Sequence, residues 1–276
     1  MSPKNKRPTK KSDPDKSEIS RFEKKQIRWG LRQFKIAGSE GILIEGIKLI
    51  EEAVAAGHPL EAVWVTEAFA SANHELVAHL EESAQVLRRV SPRTFRELTA
   101  LETPPGIVAV AEQPNFIFRN AADPYSLIVV LPLIQDPGNL GGIIRTADYF
   151  GVDELWLGPN SADPYRPKVL RGSMGATFRL PVIRTDNLLE RLRSFKANGA
   201  EIWAAAAHGD GSCVKIAGSG SRILILGSEA HGLEAEVTEL ADKLITIPGA
   251  KRGESLNLSI AAGILIHQAT SGRWEG

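Results

Sequence analysis

The sequence predicts an α/β protein made of two units, and three observations lead to that class. Short apolar strand patterns such as "GILIEG", "LEAVWVTE" and "GIVAVAEQ" alternate with helical patterns along residues 41–112. A second alternating series begins at Leu127. Between them, "PNFIFRNAADPYS" carries two prolines, which is typical of a linker. We therefore predict a smaller N-terminal domain, a linker and a larger C-terminal domain, over residues 38–112, 113–126 and 127–276.

Helices in the smaller domain are predicted from apolar spacing and end signals. "IKLIEEAVAAG" is amphipathic and ends at Gly57, "ANHELVAHLEES" has the same periodicity, and "SPRTFRELTAL" starts with Ser91 as its cap and Pro92 in its first turn. "AQVLRRV" supplies one more strand.

The larger domain is predicted to hold a parallel sheet covered by helices. Its first strand, within "LIVVLPLIQDPGN", is apolar on both faces, as strands inside parallel sheets are. Further strands are expected in "DELWLG", "FRLPVI", "EIWAAAA", "SRILILG" and "DKLITIPG". Helices fall between them at about 139–150, 187–198, 232–241 and 256–270.

Composition excludes several classes of protein. The 276 residues are 43% hydrophobic but contain no apolar run long enough to span a membrane. The polar, basic start does not resemble a secretory signal. A single cysteine, Cys213, excludes an intramolecular disulfide and fits the cytoplasm. His and Cys show no zinc-like spacing, so we expect no metal.

Positive charge is concentrated at the N-terminus. Residues 1–35 hold twelve Lys or Arg and four Asp or Glu, in a chain whose net charge is zero. We expect residues 1–17 to be a disordered tail and 18–37 to form a basic amphipathic helix. A basic arm suits a polyanion such as RNA or DNA, although a solvated tail that aids solubility explains the charge equally well.

Three glycine-rich loops follow predicted strands, at the edge where ligands bind in open α/β sheets. They are "DPGNLGGIIRTAD", "LGSEAHGL" and "IPGAKRGESLNLS". In the first loop, the glycines are expected to let the backbone approach a ligand, and a helix starting near Asn139 would offer free N–H groups to an anion. Arg145 could reach the same edge, or could instead pair with Asp148 on the helix surface.

The other two loops have alternative explanations. Glu229 could orient a neighbouring amide or cation, or could cap a helix starting near 232 together with Ser228. Ser255, Asn257 and Ser259 begin a long apolar helix, and capping accounts for one of the three.

Taken in order, these segments resemble the SpoU (TrmH-like) family of RNA ribose 2′-O-methyltransferases, within the SPOUT superfamily. The family motifs correspond to "DPGNLGGIIRTADYFGVDELWL", "LILGSEAHGL" and "ITIPGAKRGESLNLSIAAGILI", and "VLRGSMGATFRLPV" matches a further segment. Residues 41–112 resemble the L30e-like domain that often precedes the catalytic domain. The resemblance implies a C-terminal domain with a deep trefoil knot, S-adenosylmethionine bound in the knot, and a homodimer.

The resemblance also implies the site residues. Backbone that holds the cofactor corresponds to Gly227, Ile247 and Leu256. The polar set corresponds to Asn139, Arg145, Glu229, Ser255 and Asn257. We expect Arg145 to act as a cation beside the ribose 2′-hydroxyl, because a guanidinium is a poor base. Asn139 and Glu229 would hold Arg145, while Ser255 and Asn257 would contact cofactor or ribose.

Three readings compete with 2′-O-methylation of rRNA, which the separate N-terminal domain favours. The substrate could be tRNA, or the chain could be a catalytically inactive RNA-binding module of the ribosome. A Rossmann dinucleotide enzyme is excluded, because "GNLGGIIRTA" lacks the Gly-x-Gly-x-x-Gly spacing and no acidic residue closes the next strand.

Overall fold

The structure, a computed structural model, places two sheets in series along the chain. The described residues are 34–36, 39–99, 101–118, 126–206, 211–212, 220–228, 232–249 and 256–271. The predicted tail over 1–17 lies outside them, as does most of the predicted helix over 18–37.

The N-terminal sheet has five strands in the order β1-β2-β5-β3-β4. Only β3 and β4 pair in parallel; the other pairs are antiparallel. Apolar side chains on the β2, β3 and β5 faces pack beneath the helices of this domain, so both faces of the sheet contribute to a core. The strands are β1 (Phe34–Ile36), β2 (Ser39–Glu45), β3 (Leu60–Thr66), β4 (Val86–Val90) and β5 (Ile107–Glu112).

The helices of this domain are α1 (Ile47–Ala55), α2 (Glu67–Ala72), α3 (His74–Ser83) and α4 (Pro92–Leu98). Ser91 caps α4 as predicted, because its hydroxyl accepts a hydrogen bond from the Thr94 N–H at 3.2 Å. Helix α2 was not predicted. The Thr66 hydroxyl starts it by accepting from the Phe69 N–H.

The C-terminal sheet has seven strands in the order β10-β12-β9-β11-β6-β7-β8, and every pair is parallel. The predicted parallel sheet is therefore confirmed. Its strands are β6 (Leu127–Leu131), β7 (Glu154–Leu157), β8 (Val182–Arg184), β9 (Glu201–Ala205), β10 (Gly211–Ser212), β11 (Arg222–Leu226) and β12 (Lys243–Thr246).

Helices cover both faces of this sheet. On one face lie α5 (Pro137–Tyr149), α6 (Pro167–Ser173) and α9 (Leu258–Thr270), which share one apolar core with the strands. On the other face lie α7 (Leu188–Ala197) and α8 (Ala235–Leu240). Residues 229–231 and 250–255 lie outside the described chain, so the trefoil knot stays a prediction.

Two predicted elements are wrong in their bounds. The helix expected over 18–37 cannot reach its predicted end, because Phe34–Ile36 pair as a strand with β2 and so use their backbone groups in a ladder. The strand expected in "FRLPVI" is confined to Val182–Arg184. Phe178 belongs instead to a 3₁₀ helix, and Pro181 has no N–H to give to a ladder.

Within the described ranges, no helix is long and apolar enough to cross a membrane. The same residues contain no cluster of His, Cys, Asp and Glu that could hold a metal ion.

Candidate active site at the carboxyl edge of the parallel sheet

The three glycine-rich loops leave the C-terminal sheet at one edge. Strands β6 and β11 are parallel neighbours, with Val130 opposite Ile225. Strand β12 runs parallel to them through β9. The segments that follow Leu131, Leu226 and Thr246 therefore emerge on the same side, where parallel α/β sheets bind their ligands.

The start of α5 differs from the predicted anion cradle. The helix begins at Pro137, and the Asp136 carboxylate accepts a hydrogen bond from the Asn139 N–H at 2.7 Å. A carboxylate therefore already occupies the positive end of the helix dipole. The prediction that this N-terminus offers its N–H groups to an external anion is wrong.

Two adjacent glycines inside α5 serve helix packing. A Cβ at Gly141 would lie 2.9 Å from the Cα of Gly172 on α6, closer than any side chain allows. A Cβ at Gly142 would stand 3.5 Å from the Cβ of Ser259 on α9, which is an ordinary contact. The predicted role of these glycines in ligand approach is therefore replaced by contact between α5 and its two neighbouring helices.

The structure joins two predicted site residues from different loops. The Asn257 side-chain amide donates a hydrogen bond to the side-chain oxygen (Oδ1) of Asn139 at 3.0 Å. Asn257 also caps α9, since its own side-chain oxygen accepts from the Ser259 N–H at 2.9 Å. One residue thus fixes the start of α9 and ties it to the first turn of α5.

Arg145 lies on the exposed surface of α5, and it makes no hydrogen bond or ion pair with any residue that the structure describes. The alternative in which Arg145 pairs with Asp148 is wrong. The Asp148 carboxylate instead binds the Arg179 guanidinium, with an N–O distance of 2.7 Å. Arg145 is therefore placed to interact with a group from outside the described chain.

The described ends of the second loop pair with each other and do not start a helix. Ser228 and Gly232 exchange two backbone hydrogen bonds of 2.9 Å, and Gly232 has φ of +65°. The positive φ of Gly232 is not helical, so the helix predicted at about 232–241 is present but begins later, as α8 at Ala235 with Glu234 before it. Because no helix starts at 232, Ser228 does not cap one there, and the predicted capping role is wrong. Glu229 lies outside the described residues.

Among the described residues, the surroundings of Gly232 and Gly249 are open. Among the described residues, no heavy atom lies within 4 Å of the position that a Cβ would take at Gly232 or Gly249. Ile247 is half-buried against the core, whereas Leu256 exposes 48% of its surface. Backbone and apolar groups around an open space suit an adenosine-containing cofactor. Ser255 is outside the described residues.

Gly227 packs closely against Gly232 at the far end of the second loop. A Cβ there would lie 2.6 Å from the Gly232 carbonyl carbon. Any side chain at position 227 must therefore displace Gly232.

The sequence did not reveal the importance of Arg179. Its guanidinium contacts carboxylates of both domains, Asp148 on α5 and Glu52 on α1. Arg179 lies within the segment 169–182, which resembles a family motif, but that resemblance does not predict which residues Arg179 contacts.

Fold and site together define a class of protein. Ligand-binding loops at the carboxyl edge of a parallel sheet, beside an arginine with no partner in the described chain, are typical of an enzyme that holds a small cofactor and acts on an anionic substrate. Comparison with known proteins narrows this class.

The chain belongs to the SpoU rRNA methylase family, whose model matches residues 126–267. A second model, for the substrate-binding domain of RNA 2′-O ribose methyltransferases, matches residues 43–117. The catalytic match covers the parallel sheet and all three loops, and the other covers most of the N-terminal domain.

Individual relatives agree with this assignment. The chain is 34% identical over 251 residues to an uncharacterized tRNA/rRNA methyltransferase of Synechocystis, covering 91% of each protein. It is 33% identical over 225 residues to RlmP of Bacillus subtilis, a 23S rRNA (guanosine(2553)-2′-O)-methyltransferase, covering 82% of this chain and 86% of that one. An AdoMet-bound rRNA methyltransferase from Sinorhizobium meliloti superposes with a TM-score of 0.78 at 26% identity, covering 92% and 95%.

The protein is therefore an RNA methyltransferase, and the cofactor of its family is S-adenosylmethionine. The sequence-based predictions of family, enzyme class and cofactor are confirmed.

Proposed function

We propose that the chain methylates a ribose 2′-hydroxyl in structured RNA, with 23S rRNA as the substrate. The observation that supports it most is the hydrogen bond from Asn257 to Asn139 on α5, the helix that also carries Arg145, which is exposed and has no partner among the described residues. In this proposal, the polar pair and the Arg145 cation act together at the carboxyl edge of the sheet, where the cofactor would bind.

The reaction needs little leaving-group assistance but precise positioning. S-adenosylmethionine supplies a methyl group already activated on a sulfonium. The 2′-oxygen forms a bond to the methyl carbon as the carbon–sulfur bond breaks, and the hydroxyl proton leaves to solvent. The protein must hold the hydroxyl in line with the methyl and stabilise negative charge that develops on oxygen.

Arg145 has the chemistry for this task. Its guanidinium stays charged at neutral pH, as arginine side chains in proteins do. It therefore serves as a cation beside the 2′-oxygen and the adjacent phosphate, and it is poorly suited to act as the base. With no ion pair to a described residue, its fork of N–H donors is available to RNA.

The other polar residues have supporting roles in this proposal. Asn139 orients the beginning of the site through its bond from Asn257. Glu229 holds Arg145, and Ser255 with Asn257 contacts cofactor or ribose. Gly227, Ile247 and Leu256 hold the cofactor through their backbone.

Ribosomal RNA is favoured over tRNA by two findings. The substrate-binding model matches a whole additional domain, and RlmP acts on 23S rRNA. Action on tRNA remains the alternative, since other relatives carry the description tRNA/rRNA methyltransferase. Transcriptome-wide mapping of 2′-O-methyl groups decides between them: one large-subunit position should vanish in a deletion strain and return with the gene, whereas loss of a tRNA position would favour the alternative.

The protein works in this proposal as a homodimer in the cytoplasm. Support for the dimer comes from apolar residues left exposed on α5 and α9, with Tyr149 80% and Ile260 56% exposed. Exposed apolar surface on two neighbouring helices suits a protein interface. The single cysteine in the chain suits a reducing compartment.

Replacing Ile260 with aspartate is expected to convert the dimer to a monomer, because a carboxylate would be buried without a partner. Sedimentation velocity measures the mass. Ile117→Asp is the matched control, since Ile117 is 83% exposed outside these two helices. A wild-type protein that sediments as a monomer would contradict the dimer.

Deleting residues 1–17 is expected to weaken RNA binding and flatten its salt dependence. The segment holds six Lys or Arg and two Asp or Glu, and fewer neutralised phosphates release fewer counterions. Fluorescence anisotropy at several salt concentrations gives the slope, and S-adenosylmethionine affinity should not change. An unaltered salt slope would show that the tail does not contact RNA.

A further inference from the structure

We propose that Arg179 is a positioning residue that couples the orientation of the N-terminal domain to helix α5 and thereby to Arg145. The inference rests on the proposed function, because it concerns how RNA held by one domain reaches the site on the other. No role in the proposed chemistry is assigned to Arg179, and it is far in sequence from the three motif loops.

The segment from Leu170 to Arg179 lies between the two domains. On one side, Gly172 meets the backbone of α5 at Gly141. On the other side, Phe178 and Leu170 are buried in the apolar core of the N-terminal domain. This segment, which we call the junction segment, is therefore packed into both domains.

Helix α1 approaches the junction segment so closely that position 175 must be glycine. Gly175 has φ of +83°, and a Cβ there would lie 2.6 Å from the Cβ of Glu52. His58, just after α1, has its Nε2 atom 2.9 Å from the Phe178 carbonyl oxygen. The backbone of the junction segment is thus held directly against the N-terminal domain.

A first ion pair anchors the junction segment near its start. Arg171 donates to the Glu45 carboxylate at 3.0 Å, and the Thr99 hydroxyl donates to the other oxygen of that carboxylate. Only 2% of the Glu45 side chain is exposed. This pair fixes the position of the segment on the N-terminal domain but does not reach α5.

Arg179 makes the connection that Arg171 does not. One guanidinium nitrogen binds Glu52 on α1 and the other binds Asp148 on α5. Lys48 donates a further hydrogen bond to Glu52 at 2.8 Å, which lowers the pKa of that carboxyl and keeps it charged. A planar guanidinium between two carboxylates has a defined geometry that a single ammonium lacks.

The connection ends next to the proposed catalytic cation. Asp148 follows Arg145 by three residues, so the two lie about one helical turn apart on α5. The distance between Arg145 and RNA bound to the N-terminal domain depends on the position of α1 relative to α5. Arg179 bridges these two helices directly, so its loss should shift the reacting hydroxyl relative to Arg145 without removing any group from the site.

The consequence is a specific effect on turnover. The three side chains are partly exposed, so removing their ion pairs should change stability little. A displacement on the order of 1 Å at the reacting atoms can lower a rate about 100-fold. We therefore expect Arg179→Gln to lower the rate at saturating RNA by roughly 10- to 100-fold, with unchanged S-adenosylmethionine affinity and little change in the KM for RNA.

Single-turnover methyl transfer to rRNA at saturating RNA tests the coupling. Glu52→Gln and Asp148→Asn should each lower the rate as much as Arg179→Gln, and the double variant should be no worse than either, because each breaks the same connection. Arg179→Lys should be intermediate. Arg89→Gln is the matched control, since Arg89 lies near two carboxylates within the N-terminal domain, Glu67 at 3.0 Å and Glu81 at 4.0 Å.

Each outcome is decisive. A wild-type rate in Glu52→Gln would overturn the coupling, even if Asp148→Asn is slow, because Arg179 would then support α5 alone. A rate loss in Arg89→Gln equal to that in Arg179→Gln would also overturn it. Should Arg179→Gln fail to fold, Glu52→Gln alone decides.

Hydrogen–deuterium exchange separates this inference from the proposed function. Faster exchange in both α1 and α5 of Glu52→Gln, relative to Arg89→Gln, is expected whether or not the wild-type protein methylates rRNA. Wild-type exchange in both helices would overturn the coupling. Absence of methyl transfer by the wild-type protein would instead refute the proposed function.

Discussion

Replacing Arg145 with alanine is expected to lower methyl transfer on the order of 1000-fold, because it removes the positioned cation beside the 2′-oxygen. Arg145→Lys should retain part of the activity, since charge remains while the forked geometry is lost. Both variants should bind S-adenosylmethionine normally, because the proposed cofactor contacts come from backbone of other loops. Single-turnover transfer and calorimetric titration measure the two quantities.

Arg193→Ala supplies the control for this prediction. Arg193 is an exposed arginine on α7, which covers the opposite face of the sheet. Its removal alters net charge by the same amount and should leave turnover unchanged. A pH–rate profile of Arg145→Lys adds a second test. Lysine has a reference pKa of about 10.4, so the profile of this variant would shift from that of the wild type if residue 145 were the base. Near wild-type turnover in Arg145→Ala would refute the proposed mechanism.

Gly141→Ala is expected to destabilise the protein strongly, while Gly142→Ala should be neutral or stabilising. The new Cβ at 141 would stand 2.9 Å from Gly172 Cα and 3.0 Å from the Val169 carbonyl oxygen, so backbone must move. Overpacking of this kind costs about 1–3 kcal/mol. At 142 the nearest atom is 3.5 Å away, and replacing glycine with alanine inside a helix gains up to about 1 kcal/mol.

Urea unfolding of the two variants measures the difference in the free energy of unfolding. The pair is well matched, because the residues are adjacent in one helix and the change is the same. Equal effects at both positions would contradict the close approach of α5 and α6. That approach matters for function, since α5 carries Asn139 and Arg145.

Much of the fold could be predicted because the deciding signals are local. Strand β6 and the part of β11 after Arg222 are continuous apolar runs, and Ser91 with Pro92 marks the start of α4. Helix α6 was not predicted, because its seven residues are too few to show a helical period. The helix expected at about 232–241 begins only at Ala235, because Ser228 and Gly232 pair through their backbones, and side-chain patterns do not predict such a contact.

The site was predictable as a set of residues but not as a set of contacts. The resemblance to the family motifs predicts Asn139 and Asn257 as residues of one site, and in the structure their side-chain amides are 3.0 Å apart. The glycines of the first loop looked like a ligand cradle, since sequence cannot distinguish a glycine that admits a ligand from one that admits another helix. Arg179 escaped notice because its partners, Glu52 and Asp148, lie 127 and 31 residues away.

The central claim is tested most directly by identifying the methylated nucleoside. Purified protein, S-adenosylmethionine with a labelled methyl group and bacterial 23S rRNA are incubated, and the RNA is digested to nucleosides for mass spectrometry. We expect the labelled methyl group on a ribose 2′-oxygen at one position when the wild-type protein is used, and no label at that position with Arg145→Ala. Label on a base, or equal labelling by the Arg145→Ala variant, would contradict it.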